Sequence, residues 1–406
     1  MKYLITLLLF FLLPVRFLIP TLSLYGMAWL SILLLYIEVV LLGGGLLYAC
    51  FLWKEIRFNK LSKYLIALYV IYFIFIYVQV FVSPQVPRGL MMDVPEDNYI
   101  FLQGFLIQSL SMLLVLGLRK YIDFTLLAKI SVILTFLTFF AYFNKVDFRY
   151  YGMIDLEDRK LAEGESIITS FKVAWYMVMA FFCGYSVKDK WSKSSIINST
   201  VFYLFSVVFI FGLFLSSKRG PIMSFFAVLG FVLYLRYKMK SILICVFGVL
   251  VFENFVYNFL QANAFGLVSR FLLIEEGGAG RFGSNDSVYS AAIRQIIESP
   301  VIGSYFRLLR VTYTDKGAYP HNIILELLMT GGLVLCIPFI IIIWKALRNS
   351  IGLLKLGKDQ SLPALCFIYV LLSLMTSSSL LFKTEFWVFL AILCTYNENI
   401  LRLKYE

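Results

Sequence analysis

Apolar runs about as long as a membrane crossing, separated by short charged or turn-forming connections, recur along almost the whole chain. A helix needs roughly 20 predominantly apolar residues to span a bilayer, and it must satisfy its backbone polar groups internally because hydrocarbon offers no water. Such runs lie near Tyr3 to Ile19, Leu24 to Trp53, Tyr64 to Val82, Tyr99 to Leu118, Phe124 to Phe143 and Ile167 to Val187. They continue near Ile196 to Leu215, Pro221 to Leu235, Ile242 to Leu260, Ile323 to Trp344, Leu362 to Leu381 and Glu385 to Leu401. The pattern predicts one polytopic, all-α membrane domain over residues 1–406 with about twelve transmembrane helices. Composition closes the alternative: 61% of the 406 residues are hydrophobic and 15% charged, against about 25% charged in a soluble domain. The first run is read as a retained span, since no small-x-small cleavage site follows Pro14 and Arg16.

A net charge of +12 suggests nucleic acid in a soluble chain, but in a membrane protein it reports topology. Lys54 to Lys63, Arg119 with Lys120, Lys188 to Lys193, Arg236 to Lys240, Lys345 to Lys358 and Arg402 with Lys404 are basic connections. They fall on one side of a twelve-span chain, which is therefore expected to be cytoplasmic, with both termini there. Residues 261–320 fall on the other side and are far longer than a helix connection requires. A loop of that size is expected to carry function. Cys50, Cys183, Cys245, Cys336, Cys366 and Cys394 sit in or beside apolar runs with no CxxC spacing, so they read as packing residues.

Polar chemistry gathers on the extracytoplasmic side. In Ser216-Ser217-Lys218-Arg219-Gly220-Pro221, adjacent Lys and Arg stand where the topology rule makes them scarce. Pro221 suits the first turn of a helix, which places Arg219 beside free N–H groups that favour an anion. Either Lys218 and Arg219 bind phosphate, or they reach out to lipid headgroups. The long loop carries Arg270, Arg281, Arg294, Arg307, Arg310 and Lys316 against five acids. Arg281 follows Gly277-Gly278-Ala279-Gly280, a flexible setting that lets backbone approach a ligand. Asp286 is a candidate N-cap for a short helix ending before Pro300, with Tyr289, Ile293, Ile296 and Ile297 on one apolar stripe suited to the membrane surface. Arg294 lies on its polar side, four residues from Glu298, so an ion pair is the plainer reading there. Arg307 and Arg310 read as solvated loop charges.

The only histidine, His321, stands in Tyr319-Pro320-His321-Asn322, where the loop re-enters the membrane as a helix. A helix N-terminus disfavours the imidazolium, which leaves a ring able to accept a proton. Glu326, five residues on, lies within the span and is costly unless partnered, by an Arg or by a polar cavity. Permanent cations, a neutral base and a surface-seeking helix together fit glycosyl transfer from a lipid pyrophosphate. An acceptor hydroxyl deprotonated by His321 attacks the anomeric carbon while Arg side chains stabilise the departing pyrophosphate. A metal-free mechanism without cofactor is the simpler expectation, although Asp155, Glu157 and Asp158 offer possible ligands.

The sequence resembles the bacterial O-antigen polymerase and ligase superfamily of Wzy-like and WaaL-like membrane proteins. The resemblance rests on Ser217-Lys218-Arg219-Gly220-Pro221, on Ile297-Glu298-Ser299-Pro300-Val301-Ile302-Gly303, and on Pro320-His321-Asn322 followed by Gly332. It implies a GT-C-like glycosyltransferase whose long extracytoplasmic loop holds short helices. His321 is then catalytic, and Arg219, Lys218, Arg270, Arg281, Arg294, Asn322, Tyr319 and Glu326 bind pyrophosphate or substrate. Two departures stand out: Asn285 occupies the place of a family Arg, so Arg281 or Arg294 must substitute, and Leu335 replaces the small residue or Tyr of the ligase pattern.

The implied partners are an undecaprenyl-pyrophosphate-linked donor and acceptor, membrane lipid and a possible chain-length regulator, with no nucleic acid. The site would face the periplasm from the bacterial inner membrane. Polymerase is the favoured reading. A ligase transferring glycan to lipid A core is the alternative, and a flippase for the same lipid-linked glycan is a second, of another class; its halves should match, and here they do not.

Overall fold

The computed structural model describes residues 25–51, 56, 58–79, 96–145, 159–215, 219–238, 240, 288–308, 319–356, 358–376 and 379–396, with isolated positions before residue 25. Among these residues every regular element is helical. In chain order they are α1 (Ala28–Phe51), α2 (Lys60–Tyr77), α3 (Glu96–Leu118), α4 (Phe124–Lys145), α5 (Arg159–Ser186), α6 (Ser195–Leu215) and α7 (Arg219–Tyr237). Then follow α8 (Val288–Glu298), α9 (Ile323–Leu356), α10 (Lys358–Thr376), the 3-10 turn Leu380–Phe382 and α11 (Thr384–Cys394). Six helices, α1, α2, α4, α6, α7 and α9, contain windows long and apolar enough to cross a membrane. The expected span near Ile242 to Leu260 lies outside the described residues, as does that near Tyr3 to Ile19 apart from Thr6, Val15 and Leu18.

The chain forms two compact units. The first comprises Met1–Gly45, Lys120–Glu276 and Leu353–Tyr369. Here α5 packs against α4, α6 and α7. Its described C-terminal part is buried almost all round, from Val173 to Cys183, as expected of a helix apolar on every face. Ring contacts knit the neighbours together: Phe181 meets Phe225 edge-on at 5.0 Å and Phe136 meets Phe205 at 4.9 Å. Gly212 permits the tight crossing, since a Cβ there would stand 2.8 Å from Phe139 and 2.9 Å from Met177. Several basic residues of this unit lie on aromatic rings and hydroxyls. Lys188 lies over Phe202, Lys129 over Trp191 and Arg236 over Tyr185, while Lys190 donates to Thr125 Oγ1 at 3.0 Å.

The second unit comprises Leu46–Arg119, Gly277–Gly352 and Val370–Glu406. Its centre is α11, buried over its whole length and packed against α3 and α2. Trp387 anchors it, 4.6 Å from the Tyr69 ring and 5.6 Å from Phe339. The last carbonyls of a helix have no partner within it and need outside donors when buried. Asn59 Nδ2 donates to Cys394 O at 2.7 Å, Asn349 Nδ2 donates to Leu393 O at 2.9 Å, and the Arg119 guanidinium donates to the Tyr396 hydroxyl. Three connections expected on one side of the membrane, those at Lys54 to Lys63, Arg119 and Lys345 to Lys358, thus converge at one end of this unit. Cys183, Cys336, Cys366 and Cys394 are free and buried, in keeping with packing roles.

Asn59 serves two helices, since its Oδ1 also accepts the Ser62 N–H at 2.7 Å and caps α2. Asn59→Ala is expected to cost about 2 kcal/mol by losing both the cap and the α11 donor. Asn59→Asp keeps the cap alone and should cost about half as much. Thermal unfolding of the two variants in detergent checks the order, and equal transitions would remove the α11 contact from the account.

Candidate functional site

The second unit carries the best-defined part of the expected site, at the end of α9 opposite Asn349. Asn322 is the N-cap of α9, its Oδ1 accepting the N–H groups of Ile324 at 3.0 Å and Leu325 at 3.2 Å. Its Nδ2 approaches Met375 O at 3.5 Å, tying the cap to the end of α10. Immediately before the cap, His321 has φ of +51°. Histidine is among the residues that tolerate this left-handed region, at some cost. That turn fixes where the imidazole leaves the backbone, and the Tyr319 ring packs edge-on against it at 4.5 Å.

Glu326, one turn into α9, is buried. Its carboxylate accepts the Ser379 hydroxyl at 2.6 Å and the Leu380 N–H at 3.0 and 3.1 Å. Its partners here are thus a hydroxyl and a backbone amide at the turn between α10 and α11, where an Arg or a polar cavity was expected. Gln108 Nε2 donates to Leu381 O and Trp387 Nε1 to Leu380 O at 3.3 Å, so the acceptor side of that turn is also engaged. Glu326 therefore holds the His321 end of α9 to the centre of the unit. Glu326→Ala should cost about 2 kcal/mol by orphaning buried donors, with Glu326→Gln intermediate because it retains one acceptor oxygen. Thermal unfolding in detergent reads both, and wild-type behaviour of Glu326→Ala would refute the tether.

Eight residues into α9 the helix breaks. Gly331 has φ −141°, ψ 17° and Gly332 φ 57°, ψ −154°, the second a conformation essentially confined to glycine. At the break, two donors and two acceptors find partners outside the helix. Leu333 N donates to Pro300 O at 2.9 Å and Val334 N to Val301 O at 3.1 Å, while Met329 O accepts from Ser304 N at 2.8 Å and Thr330 O from Gln79 Nε2 at 2.6 Å. The segment Ser299-Pro300-Val301-Ile302-Gly303-Ser304 is thus clasped into the break. Gly303, at φ +77°, makes this possible, since a Cβ there would lie 2.6 Å from Gly331 N and Met329 O. Ser299 closes the loop, its Oγ donating to Gly303 O at 2.7 Å. The two motifs that sequence could only place in order along the chain are joined by their backbones.

The clasp also seats α8. Ala291, Ala292, Leu308 and Met329 form a small core, with Val288, Ile296 and Leu325 packed on it, so α8 lies against the first segment of α9. Buried Gln295 donates to Tyr305 O at 3.0 Å and Arg307 O at 3.1 Å. The expected stripe of Tyr289, Ile293, Ile296 and Ile297 is divided: the buried positions of α8 are Ala291, Ala292 and Gln295, while Ile293 and Ile297 are exposed. Arg294 is exposed on the same helix.

Arg219 belongs to the first unit, where it is the first residue of α7, with Pro221 in the first turn as the sequence suggests. Lys218, Arg270, Arg281, Asp286, Arg310 and Lys316 lie outside the described residues, as do Asp155, Glu157 and Asp158. Sequence reasoning missed Gln79, Gln295, Ser379 and Leu380.

Residues 204–340 match a family model described as O-antigen ligase. Over this segment the chain is similar to the O-antigen polymerase and ligase superfamily. The matched region contains Arg219, α8, the clasped loop and His321, and the family implies a membrane enzyme of the glycosyltransferase kind acting on lipid-linked glycans. No curated protein matches the chain.

Proposed function

We propose that this protein is a polymerase of GT-C type that joins glycan repeat units carried on undecaprenyl pyrophosphate, at the periplasmic face of the bacterial inner membrane. The observation that carries this reading is the fixed exit of His321, held by its left-handed turn, the Asn322 cap and the Glu326 tether within a segment of the matching family. In the reaction, His321 takes the proton of an acceptor sugar hydroxyl and that oxygen bonds to the donor's anomeric carbon. The bond from this carbon to the pyrophosphate oxygen breaks, and the electron pair leaves with the polyprenyl pyrophosphate. Charge builds on that leaving group, where Arg219 at a helix start supplies a forked cation, supported by Lys218 and by Arg270, Arg281 or Arg294 of the long loop. Tyr319 and Asn322 shape the acceptor side. No cofactor or metal step is needed, and a chain-length regulator is the partner such a polymerase would take.

The match to a family described as O-antigen ligase favours one second reading, transfer of the glycan to lipid A core. It also speaks for glycosyl transfer over the carrier reading. Incubation of the purified protein with its host's lipid-linked oligosaccharide separates the enzymatic readings. A ladder of longer lipid-linked glycans is expected; product only when lipid A core is added would make the protein a ligase.

Arg219→Ala should weaken donor binding and turnover together, lowering kcat/KM about tenfold to a hundredfold for loss of one charge-assisted contact. Arg219→Lys should recover part of this, because charge remains and the fork is lost. Donor titrations with both variants decide it, and unchanged kinetics would remove Arg219 from the site.

A further inference from the structure

The clasp fixes more than a helix break, because it sets the depth of the loop relative to the bilayer. The outward faces of Leu333, Val334, Ile337, Ile341 and Trp344 are apolar and exposed, which makes them the lipid-facing stripe of α9. The stripe begins at the break: from Ile323 to Thr330 no side chain is exposed, because α8, the clasped loop and the Leu380 turn cover that segment. At the other end the stripe stops at Lys345 and Arg348, the first charges of a basic connection.

Leu333 stands twelve residues from Lys345, about 18 Å along a helix axis. The hydrocarbon core is about 30 Å thick. With Lys345 at one boundary, Leu333 therefore lies about 12 Å inside the opposite one. If Lys345 snorkels by about 5 Å, Leu333 still lies roughly 7 Å inside. Leu333 and Val334 hold Pro300 and Val301 by backbone hydrogen bonds, so the loop shares that level. Its outward side chains suit the place: Val301, Ile302 and Ile297 are exposed, Ile302 by 62% and Ile297 by 71%. Large apolar groups this exposed are unfavourable in water and cost nothing among acyl chains. Irregular backbone at membrane depth survives only where protein satisfies it, and here Leu333 N, Val334 N, Met329 O and Thr330 O at the α9 break are all paired.

We infer that the Ser299–Ser304 loop and the adjoining end of α8 form a re-entrant wedge, seated among the acyl chains of the leaflet at the His321 end of α9 by Ile297, Val301 and Ile302. The occupant of this apolar face is lipid. The inference requires that α9 crosses a bilayer with Lys345 near one boundary, and is independent of the catalytic reading. It places the anchor of the long loop below the headgroups, where a surface-lying helix was the expectation.

Spin labelling tests it on the full chain in phosphatidylethanolamine and phosphatidylglycerol nanodiscs, with the native cysteines replaced. Labels at V301C and I302C are compared with I337C on the α9 stripe and K355C beyond its basic end, by collision with oxygen and with a water-soluble nickel chelate. Oxygen access at V301C and I302C should match I337C, with nickel access several-fold below that at K355C. Nickel access equal to K355C would put the loop in water and overturn the proposal. Exclusion of both reagents would mean that a protein partner or a second copy covers the face, and would overturn it equally. Nickel access at I337C would overturn the lipid assignment of the stripe on which the depth count rests.

Discussion

His321→Ala is expected to reduce chain extension by about a hundredfold to ten-thousandfold, the span that a positioned general base commonly contributes, while donor affinity stays at the wild-type value. The separation follows from the roles assigned. A base meets the acceptor proton only as the new bond forms, so its loss falls on turnover, whereas the pyrophosphate cations act on the bound donor as well. The backbone supplies a control. Because φ at His321 is +51°, Ala there is strained in a way that Asn is not, Asn being a residue that tolerates this region. His321→Asn should therefore fold as well as wild type and be as inactive as His321→Ala. Turnover retained by His321→Asn, measured as the rate of ladder formation at saturating donor, would remove the base from the mechanism. Loss of donor binding in both variants would assign His321 to recognition instead.

Much of the architecture was legible because hydropathy is a direct reading of the solvent. Runs such as Tyr64 to Val82 and Ile196 to Leu215 coincide with α2 and α6 within a few residues, since only an internally bonded helix tolerates hydrocarbon. The same solvent hid what lay inside the bundle. Lipid is as apolar as leucine, so an apolar stripe does not say which side of a helix faces protein; on α8 it was the small Ala291 and Ala292, and the polar Gln295, that turned inward. Glu326 announced itself as costly, but Ser379 and Leu380 lie more than fifty residues on in a span with no local mark of the pairing. Gly331 and Gly332 read as helix interior because hydropathy carries no information on φ, and the expected span ran straight through them to Trp344. His321 and Asn322 were legible for the opposite reason: a Pro, an Asn and the only histidine at the start of an apolar run are local features, and their geometry is local too.

Gly332→Ala should be the most damaging substitution of a small residue among the described residues. At φ 57°, ψ −154° an alanine carries strain of about 1 to 3 kcal/mol before it meets any neighbour. Its Cβ would then stand 2.3 Å from both the carbonyl carbon and the oxygen of Val301. Those atoms are backbone and cannot rotate aside, so the loop must leave the break. Its departure orphans Leu333 N, Val334 N and Met329 O, at about 1 to 3 kcal/mol for each buried group left unpaired. The sum, about 4 to 12 kcal/mol, is comparable with the whole stability of an ordinary domain, and little folded protein should survive extraction. Gly303→Ala should behave alike, because its Cβ meets Gly331 N and Met329 O at 2.6 Å. Gly331→Ala is the informative contrast. Its φ is −141°, outside the left-handed region, and its Cβ would stand 2.6 Å from Leu335 Cβ, which no rotamer change moves, so α9 must shift locally while the loop's hydrogen bonds are not struck directly. Yield and apparent Tm by fluorescence-detected size exclusion should rank Gly331→Ala above the other two, which add positive-φ strain and meet the backbone of the clasp itself. A Gly332→Ala protein with wild-type Tm would mean that the loop does not occupy the break, and the depth assigned to it would fall with the clasp.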